Sequence, residues 1–181
     1  MKEPNRERKN DIKYNVTLNE EQKLAKQLII DNQIVIVTGR AGSGKSLICA
    51  QTALDFLMKK QCDHIFVTRA AVEVGNSLGF LPGDIKDKID PYMQSYLSNM
   101  SKIIGPALTE KLVESEVIQF KPLAFMRGDT YDDALMILDE AQNATFKQLM
   151  LFVTRMGKDS KVIVTGDVSQ YDIAKNNIGL E

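Results

Sequence analysis

The sequence predicts an α/β domain in which a parallel sheet is covered by helices on both faces. Five short apolar segments have the length and the β-branched residues of buried strands: 34–37, 64–68, 116–120, 134–138 and 161–165. Segments with helical spacing separate them, and strands that alternate with helices usually join in parallel. A glycine-rich stretch follows the first strand directly. The 181 residues have the length of one ordinary domain.

The helices are predicted from the spacing of apolar residues. They cover 17–30, the stretch from about residue 46 to 58, then 92–104, 106–114 and 146–156. Asn19 is a suitable N-cap for the first of them. Glycines and prolines punctuate 70–116, which we interpret as a helical insertion that carries partner or substrate contacts. Residues 1–13 are charged and poor in apolar side chains, so we expect a mobile arm in front of a single domain at 14–181. The basic arm could touch nucleic acid, but a solvated tail is the simpler interpretation.

Composition excludes several kinds of protein. Acidic residues number 24 and basic residues 23, so the net charge of −1 gives no global attraction to nucleic acid or membrane, and any polyanion site must be local. Cys49, Cys62 and the single histidine, His64, do not have zinc-site spacing, and both thiols read as small buried residues in a reducing compartment. Because no apolar run approaches 18 residues, neither a signal peptide nor a membrane span is expected, and we expect a cytoplasmic protein.

The glycine-rich stretch predicts a phosphate-binding loop between a strand and a helix. Gly39, Gly42 and Gly44 let successive N–H groups point into one concavity of about triphosphate size. Lys45 would reach the β- and γ-phosphates, and the Ser46 hydroxyl would complete the coordination of Mg²⁺. The predicted nucleotide-binding set is Gly39, Arg40, Ala41, Gly42, Ser43, Gly44, Lys45, Ser46 and Leu47. The alternative is an ordinary glycine-rich turn.

Two adjacent acids follow the fourth predicted strand. Asp139 would lie at the carboxyl edge of the sheet, where it can hold Mg²⁺ through water. Glu140, one position further, is placed to orient and deprotonate an attacking water, as hydrolysis requires. Taken alone, two acids after an apolar strand are as consistent with a strand-end turn, and the phosphate loop favours the chemical interpretation.

Polar residues elsewhere have two interpretations each. Gln22 stands three residues after Asn19, so its amide closes a capping box or pairs with the adenine edge of a nucleotide. Asp167 and Gln170 follow the last predicted strand, where a polar side chain can sense the γ-phosphate. They could equally be turn residues.

Four blocks of this sequence resemble the signature blocks of PhoH-like proteins, in the same order. They are 78–84 (LGFLPGD), 121–128 (KPLAFMRG), 138–143 (LDEAQN) and 164–170 (VTGDVSQ), and the resemblance covers about 15–178. It implies an ATPase with a RecA-like core, related to superfamily 1 helicases, that acts with ATP and Mg²⁺ and often assembles into rings. It further implies nucleotide roles for the loop residues, metal and base roles for Asp139 and Glu140, a sensor role for Gln170, and Gln22 as a reader of adenine.

The sequence departs from the family pattern in two places. Arg69 is followed by Ala70 where the family commonly has Arg-Pro. The chain also stops at Glu181, before the segment that usually packs beyond the last motif, which indicates a short form or a trimmed chain. Contacts with RNA or DNA made by that segment are therefore in question.

Three functions are compatible with these residues. The first is an ATPase coupled to RNA or single-stranded DNA, the second a small-molecule kinase, and the third a slow nucleotide-gated binding module. Glu140 and the absence of an arginine-rich lid speak against the kinase. An ATPase of this size has no second domain to supply a catalytic arginine, so we expect a homo-oligomeric ring, such as a hexamer, in which a neighbour supplies Arg127 or Arg155. A surface or salt-bridged role is the alternative for each arginine.

Overall fold

The computed structural model of the protein describes residues 17–70 and 93–170. The expected arm at 1–13, the block at 78–84, the predicted helix start at residue 92 and everything after residue 170 lie outside these ranges.

A parallel sheet forms the centre of the domain. Its strands are β1 (Ile34–Thr38), β2 (His64–Arg69), β3 (Ile118–Phe120), β4 (Ala134–Asp139) and β5 (Lys161–Gly166). Their order across the sheet is β1-β5-β4-β2-β3, and each neighbouring pair is parallel. The prediction of a parallel sheet is confirmed. β3 begins two residues later than predicted, because Glu116 adopts a left-handed backbone with φ 57° that belongs to the preceding turn.

The helices lie close to their predicted positions. They are α1 (Glu20–Asp31), α2 (Lys45–Met58), α3 (Gln94–Ile104), α4 (Pro106–Glu114) and α5 (Phe146–Val153). α5 ends three residues before its predicted end, since the chain turns there and Met156 forms an isolated parallel bridge with Tyr131. Two 3₁₀-helices, Leu123–Met126 and Ala141–Asn143, occupy stretches for which the sequence predicted no helix.

Side chains of the strands alternate between two buried layers. On one face Ile65 and Ile137 pack in a cluster with Ile48 of α2 and with Tyr96 and Met100 of α3. On the other face Phe66 and Met136 pack with Met126 of the first 3₁₀-helix and with Phe152 of α5. Helices therefore cover both faces, as predicted. Full burial of side chains of this kind contributes about 1.5–3 kcal/mol each.

The register of the sheet brings the chemically important loops to one edge. Thr38 of β1 pairs with Gly166 of β5, and Leu138 of β4 pairs with Val164 of β5. Because the strands are parallel, the residues that follow β1, β4 and β5 all emerge at the carboxyl edge. The candidate site is built there.

The cysteines are free and buried, as the sequence predicted. Burial raises the pKa of the Cys62 thiol to about 12 and that of the Cys49 thiol further. Thiols of this kind are inert at neutral pH. Among the helices of the described ranges, none has the length and apolar character needed to cross a membrane.

Candidate nucleotide site

The glycine-rich stretch forms a tight loop from the end of β1 to the first turn of α2. Gly42 and Gly44 have φ values of 77° and 88°, in the left-handed region that favours glycine. A Cβ atom at Gly44 would also stand 2.7 Å from Nε2 of Gln22. Gly44 is the N-cap of α2, a helix of 14 residues, so the loop lies at a helix N-terminus that favours an anion.

Lys45 is folded back over this loop. Its Nζ donates to the carbonyl oxygens of Gly39, at 2.6 Å, and of Arg40, at 3.1 Å. The ammonium group therefore lies within the loop that it would serve. A flexible lysine can exchange such carbonyl contacts for phosphate oxygens without rearranging the backbone.

Asp139 lies in a buried setting that we call the Asp139 pocket, formed with Thr165 and Tyr96. The Thr165 hydroxyl donates to Oδ1 of Asp139 at 2.6 Å, and the Tyr96 hydroxyl approaches the same oxygen at 3.5 Å. Burial raises the pKa of Asp139. The hydrogen bond from Thr165 lowers this pKa and the negative charge of Glu140 raises it, but burial is the larger effect. Burial likewise raises the pKa of the Tyr96 hydroxyl, which stays neutral and able to donate.

The Ser46 side chain also acts on the Tyr96 hydroxyl, since it lowers the pKa of that group against the effect of burial. Ser46 and Asp139 are thus brought to one small region by a tyrosine of the insertion. Their hydroxyl and carboxylate oxygens are hard ligands that suit Mg²⁺, which keeps several waters and binds phosphate oxygens as well. In residues 17–70 and 93–170, no group of three acidic, histidine or cysteine side chains could hold a metal by itself. The donor set therefore fits Mg²⁺ that arrives with a nucleotide, where the ion would neutralise phosphate charge.

Glu140 lies in a different setting, the Glu140 clamp, formed with Arg69 and Gln142. Arg69 Nη2 pairs with Oε1 of Glu140 at 3.1 Å, and Gln142 Nε2 donates to Oε2. The backbone of Glu140 is left-handed, with φ 54°, and it begins the 3₁₀-helix that follows β4. Arg69 ends β2 and is the register partner of Asp139, so it lies beside the residue that directly precedes Glu140.

Asp167 links the phosphate loop to this clamp. Its Oδ2 accepts from the Ala41 N–H at 2.9 Å, and its own N–H donates to Oε1 of Gln142 at 3.0 Å. Hydrogen bonds from Ser169 lower the pKa of the Asp167 carboxyl. A continuous series of hydrogen bonds thus runs from the phosphate loop through Asp167 and Gln142 to Glu140.

Gln22 has the capping role that the sequence offered as one alternative. Asn19 and Gln22 form a complete capping box, and the Gln22 side chain also donates to the carbonyl oxygen of Ser43 at 3.0 Å. The residue therefore touches the phosphate loop through Nε2. Its predicted pairing with adenine stays a prediction.

The remaining predicted residues have distinct positions. Gln170 is exposed, with its N–H bonded to the Asp167 carbonyl. Arg127 is exposed at the end of the first 3₁₀-helix. Arg155 Nη1 donates to the Asp129 carbonyl, and the Arg155 carbonyl accepts from Tyr131 N–H, ahead of β4. Arg155 is therefore at the amino edge of the sheet, and the six residues of β4 alone separate the edges by about 17 Å.

Sequence reasoning missed four residues of the site: Arg69, Tyr96, Gln142 and Thr165. Gln142 had a signal, since it stands in the acidic block. Arg69 and Thr165 end or nearly end strands, but only the strand order shows that β2 and β5 flank β4. Tyr96 lay in a helix predicted to be part of an insertion, without a sign that it reaches the sheet.

A phosphate loop after β1, two acids at the end of β4 and a parallel sheet with helices on both faces define a P-loop nucleotide-binding protein. A sequence profile described as PhoH-like protein matches residues 16–181. The chain belongs to the PhoH-like family.

Similarity to individual proteins supports the same family assignment. A PhoH-like protein of Bacillus subtilis strain 168 is 48% identical over 144 residues, which cover 80% of this chain and 45% of that protein. A PhoH-like protein of Mycobacterium tuberculosis strain H37Rv is 46% identical over 157 residues, covering 87% of this chain and 44% of that protein. Protein PhoH of Escherichia coli K12 is 38% identical over 159 residues, covering 87% and 45%. The matched region is thus less than half the length of each of these relatives.

Proposed function

We propose that this chain binds ATP with Mg²⁺ and hydrolyses it. The observation that carries the proposal is the meeting of three features at one sheet edge: the phosphate loop, the Asp139 pocket and the Glu140 clamp. Membership of a family of P-loop NTPases supports the same activity.

Each group has a proposed role that follows from its setting. The loop amides and Lys45 bind the β- and γ-phosphates. Ser46 and Asp139 hold Mg²⁺, which would neutralise the charge that develops on the phosphates. Glu140 orients the attacking water and accepts its proton, a role that suits a carboxylate one position beyond the metal ligand. Gln170 senses the γ-phosphate from the turn after β5.

The proposed function also involves two kinds of partner, a nucleic acid and further copies of this chain. From the family resemblance we infer that hydrolysis is coupled to RNA or single-stranded DNA. We also infer a cytoplasmic, homo-oligomeric ring in which a neighbour supplies an arginine. The net charge of −1 argues that a polymer would bind through a local surface rather than the whole domain.

The test is release of phosphate from ATP in the presence of Mg²⁺ with no acceptor, measured with RNA, with single-stranded DNA and without polymer, alongside the native mass. Hydrolysis without an acceptor is expected, and it distinguishes an ATPase from a small-molecule kinase. A burst of one turnover followed by a much slower steady state would instead favour the gated binding module. Lys45→Ala is the matched negative variant, since it should lose tight ATP binding. Phosphate release by Lys45→Ala at the wild-type rate would contradict the proposed site.

A further inference from the structure

The side chain of Glu140 is held by more contacts than is usual for a partly exposed carboxylate. Both of its carboxylate oxygens are engaged, Oε1 by Arg69 and Oε2 by Gln142. The two partners approach from different elements, since Arg69 ends β2 and Gln142 lies in the 3₁₀-helix after β4. Contacts to both oxygens fix the plane of the carboxylate as well as its position.

The backbone explains why such restraint is useful. Glu140 has φ 54° and ψ 41°, a left-handed conformation that is strained for a residue other than glycine. This conformation redirects the chain from β4 into the 3₁₀-helix, so the side chain leaves the sheet edge at a point where the strand no longer holds it. Contacts from neighbouring elements must then set its direction.

The two partners are not equivalent. Gln142 belongs to the series of hydrogen bonds that begins at the phosphate loop, through Asp167 and Ala41. Arg69 approaches from the other side, and its strand is tied to β4 by the ladder and by the Ala70 N–H, which donates to the Asp139 carbonyl at 3.1 Å. Arg69 is therefore a fixed point on rigid backbone, whereas Gln142 is attached to the loop that receives the ligand.

We propose that Arg69 is a positioning residue for hydrolysis, which holds the Glu140 carboxylate in the orientation needed to receive a proton from water. This inference rests on the proposed function, because it assigns Glu140 as the base. A misplacement of about 1 Å in a reacting group can cost roughly 10²-fold in rate. Loss of Arg69 should therefore act on the chemical step while ATP and Mg²⁺ still bind through the loop and the Asp139 pocket.

The planar shape of the Arg69 guanidinium group should matter for holding Glu140, as well as its positive charge. A lysine at position 69 would keep the cation but would present a flexible point charge in place of a planar group. Arg69→Lys should therefore keep part of the function that Arg69→Met loses. Lys26 offers a matched control: it forms an ion pair with Asp55, Nζ to Oδ2 2.7 Å, between α1 and α2, helices that contribute no residue to the Glu140 clamp.

The experiment compares wild type with Arg69→Met, Arg69→Lys and Lys26→Met. It measures kcat and KM for ATP, the affinity for a fluorescent ATP analogue with Mg²⁺, and the melting temperature. We expect Arg69→Met to lower kcat by roughly 10- to 100-fold with analogue affinity within about twofold, and Arg69→Lys to lie between it and wild type. Lys26→Met should lower the melting temperature without lowering kcat.

A double variant separates positioning from any other effect. In a Glu140→Gln background, Arg69→Met should lower the rate no further, because it acts through a base that is already gone. A further tenfold loss there, or wild-type kcat in Arg69→Met, would overturn the proposal. Should Arg69→Met fail to fold, Arg69→Lys decides, and an unchanged kcat then counts against the positioning role. A wild-type chain that releases no phosphate overturns the proposed function itself, a result distinct from normal hydrolysis by an Arg69 variant.

Discussion

Asp139 and Glu140 are neighbours in the chain, yet the structure holds them in opposite ways. Asp139 ends a strand, is 4% exposed and takes hydrogen bonds from neutral hydroxyl groups in the Asp139 pocket. Glu140 has a left-handed backbone, its side chain is 32% exposed, and the Glu140 clamp pairs it with a cation. The Asp139 carboxylate is thus buried at the end of a strand, and the Glu140 carboxylate is partly exposed just beyond it.

The different partners of Asp139 and Glu140 explain how two adjacent carboxylates at the carboxyl edge of the sheet could have different roles. Neutral donors orient Asp139 without forming an ion pair with it, so its carboxylate can still attract a divalent cation. Arg69 neutralises Glu140 in part, which reduces the repulsion between two adjacent carboxylates. Under the proposed function, Asp139 would hold the metal ion and Glu140, beside it, would be an oriented base.

The largest effect should come from a group that neither the Asp139 pocket nor the Glu140 clamp supplies. An arginine that meets the developing phosphate charge is worth roughly 10³ to 10⁵ in rate. Arg69 is paired with Glu140, and Arg155 is bonded to a carbonyl of its own chain, so the exposed Arg127 is the better candidate for a neighbour's contribution. Arg127→Ala should lose most of the turnover and keep ATP binding.

Mixing subunits tests that assignment. An Arg127→Ala subunit has an intact nucleotide site, and a Lys45→Ala subunit has an intact arginine, so the mixture should hydrolyse more ATP than either alone. Arg155→Ala serves as the control and should mainly lower the melting temperature. A monomer that keeps the full rate at any dilution would rule out a contribution from a neighbour.

Glu140→Gln should separate the two acids functionally. The amide keeps the shape but cannot accept a proton, so hydrolysis is expected to fall on the order of 10²- to 10⁴-fold. Binding of ATP with Mg²⁺ should stay within about twofold, because the Asp139 pocket is untouched. Turnover and analogue affinity measured on the same preparation check this, and full turnover would mean that the base lies elsewhere.

Asp139→Asn should change affinity and stability in opposite directions. Without its carboxylate the pocket should bind Mg²⁺ less well, with Mg²⁺-dependent ATP affinity lower by roughly 10- to 100-fold. In the absence of Mg²⁺ the same variant should melt at a higher temperature near neutral pH. The reason is that burial raises the pKa of Asp139 in the folded state, so its ionised form opposes folding.

The sign of the pH dependence follows from that shift. A carboxyl whose folded-state pKa is raised costs stability as the pH rises through its unfolded-state value, and it costs nothing in acid where both states are protonated. The advantage of Asp139→Asn should therefore disappear as the pH falls. Melting curves with excess chelator across that range measure it, and a lower melting temperature at neutral pH would show that the carboxylate stabilises the empty site.

Much of this architecture could be predicted from sequence. The parts that could not be predicted share one cause. Apolar runs and helical spacing gave the five strands and their parallel arrangement, because burial and periodicity are local properties of the chain. The strand order is not local. Arg69 and Glu140 stand 71 positions apart, and only the placement of β2 beside β4 brings them together. Tyr96 was missed for the same reason, as a buried hydroxyl cannot be told from an ordinary core tyrosine until its partners are known.

The smallest expected effect concerns Gln22, which lies beside the phosphate loop and outside both acid settings. Its side chain closes a capping box with Asn19 and donates to the Ser43 carbonyl, so Gln22→Ala should destabilise the fold by about 1–2 kcal/mol. If the amide also reads adenine, the ratio of ATP to GTP affinity should fall as well, because an adenine edge needs a donor and an acceptor together. Denaturant unfolding and the two affinities separate these roles. A loss of stability with an unchanged ratio would leave Gln22 as a cap that supports the loop, and would assign the choice of base to another residue.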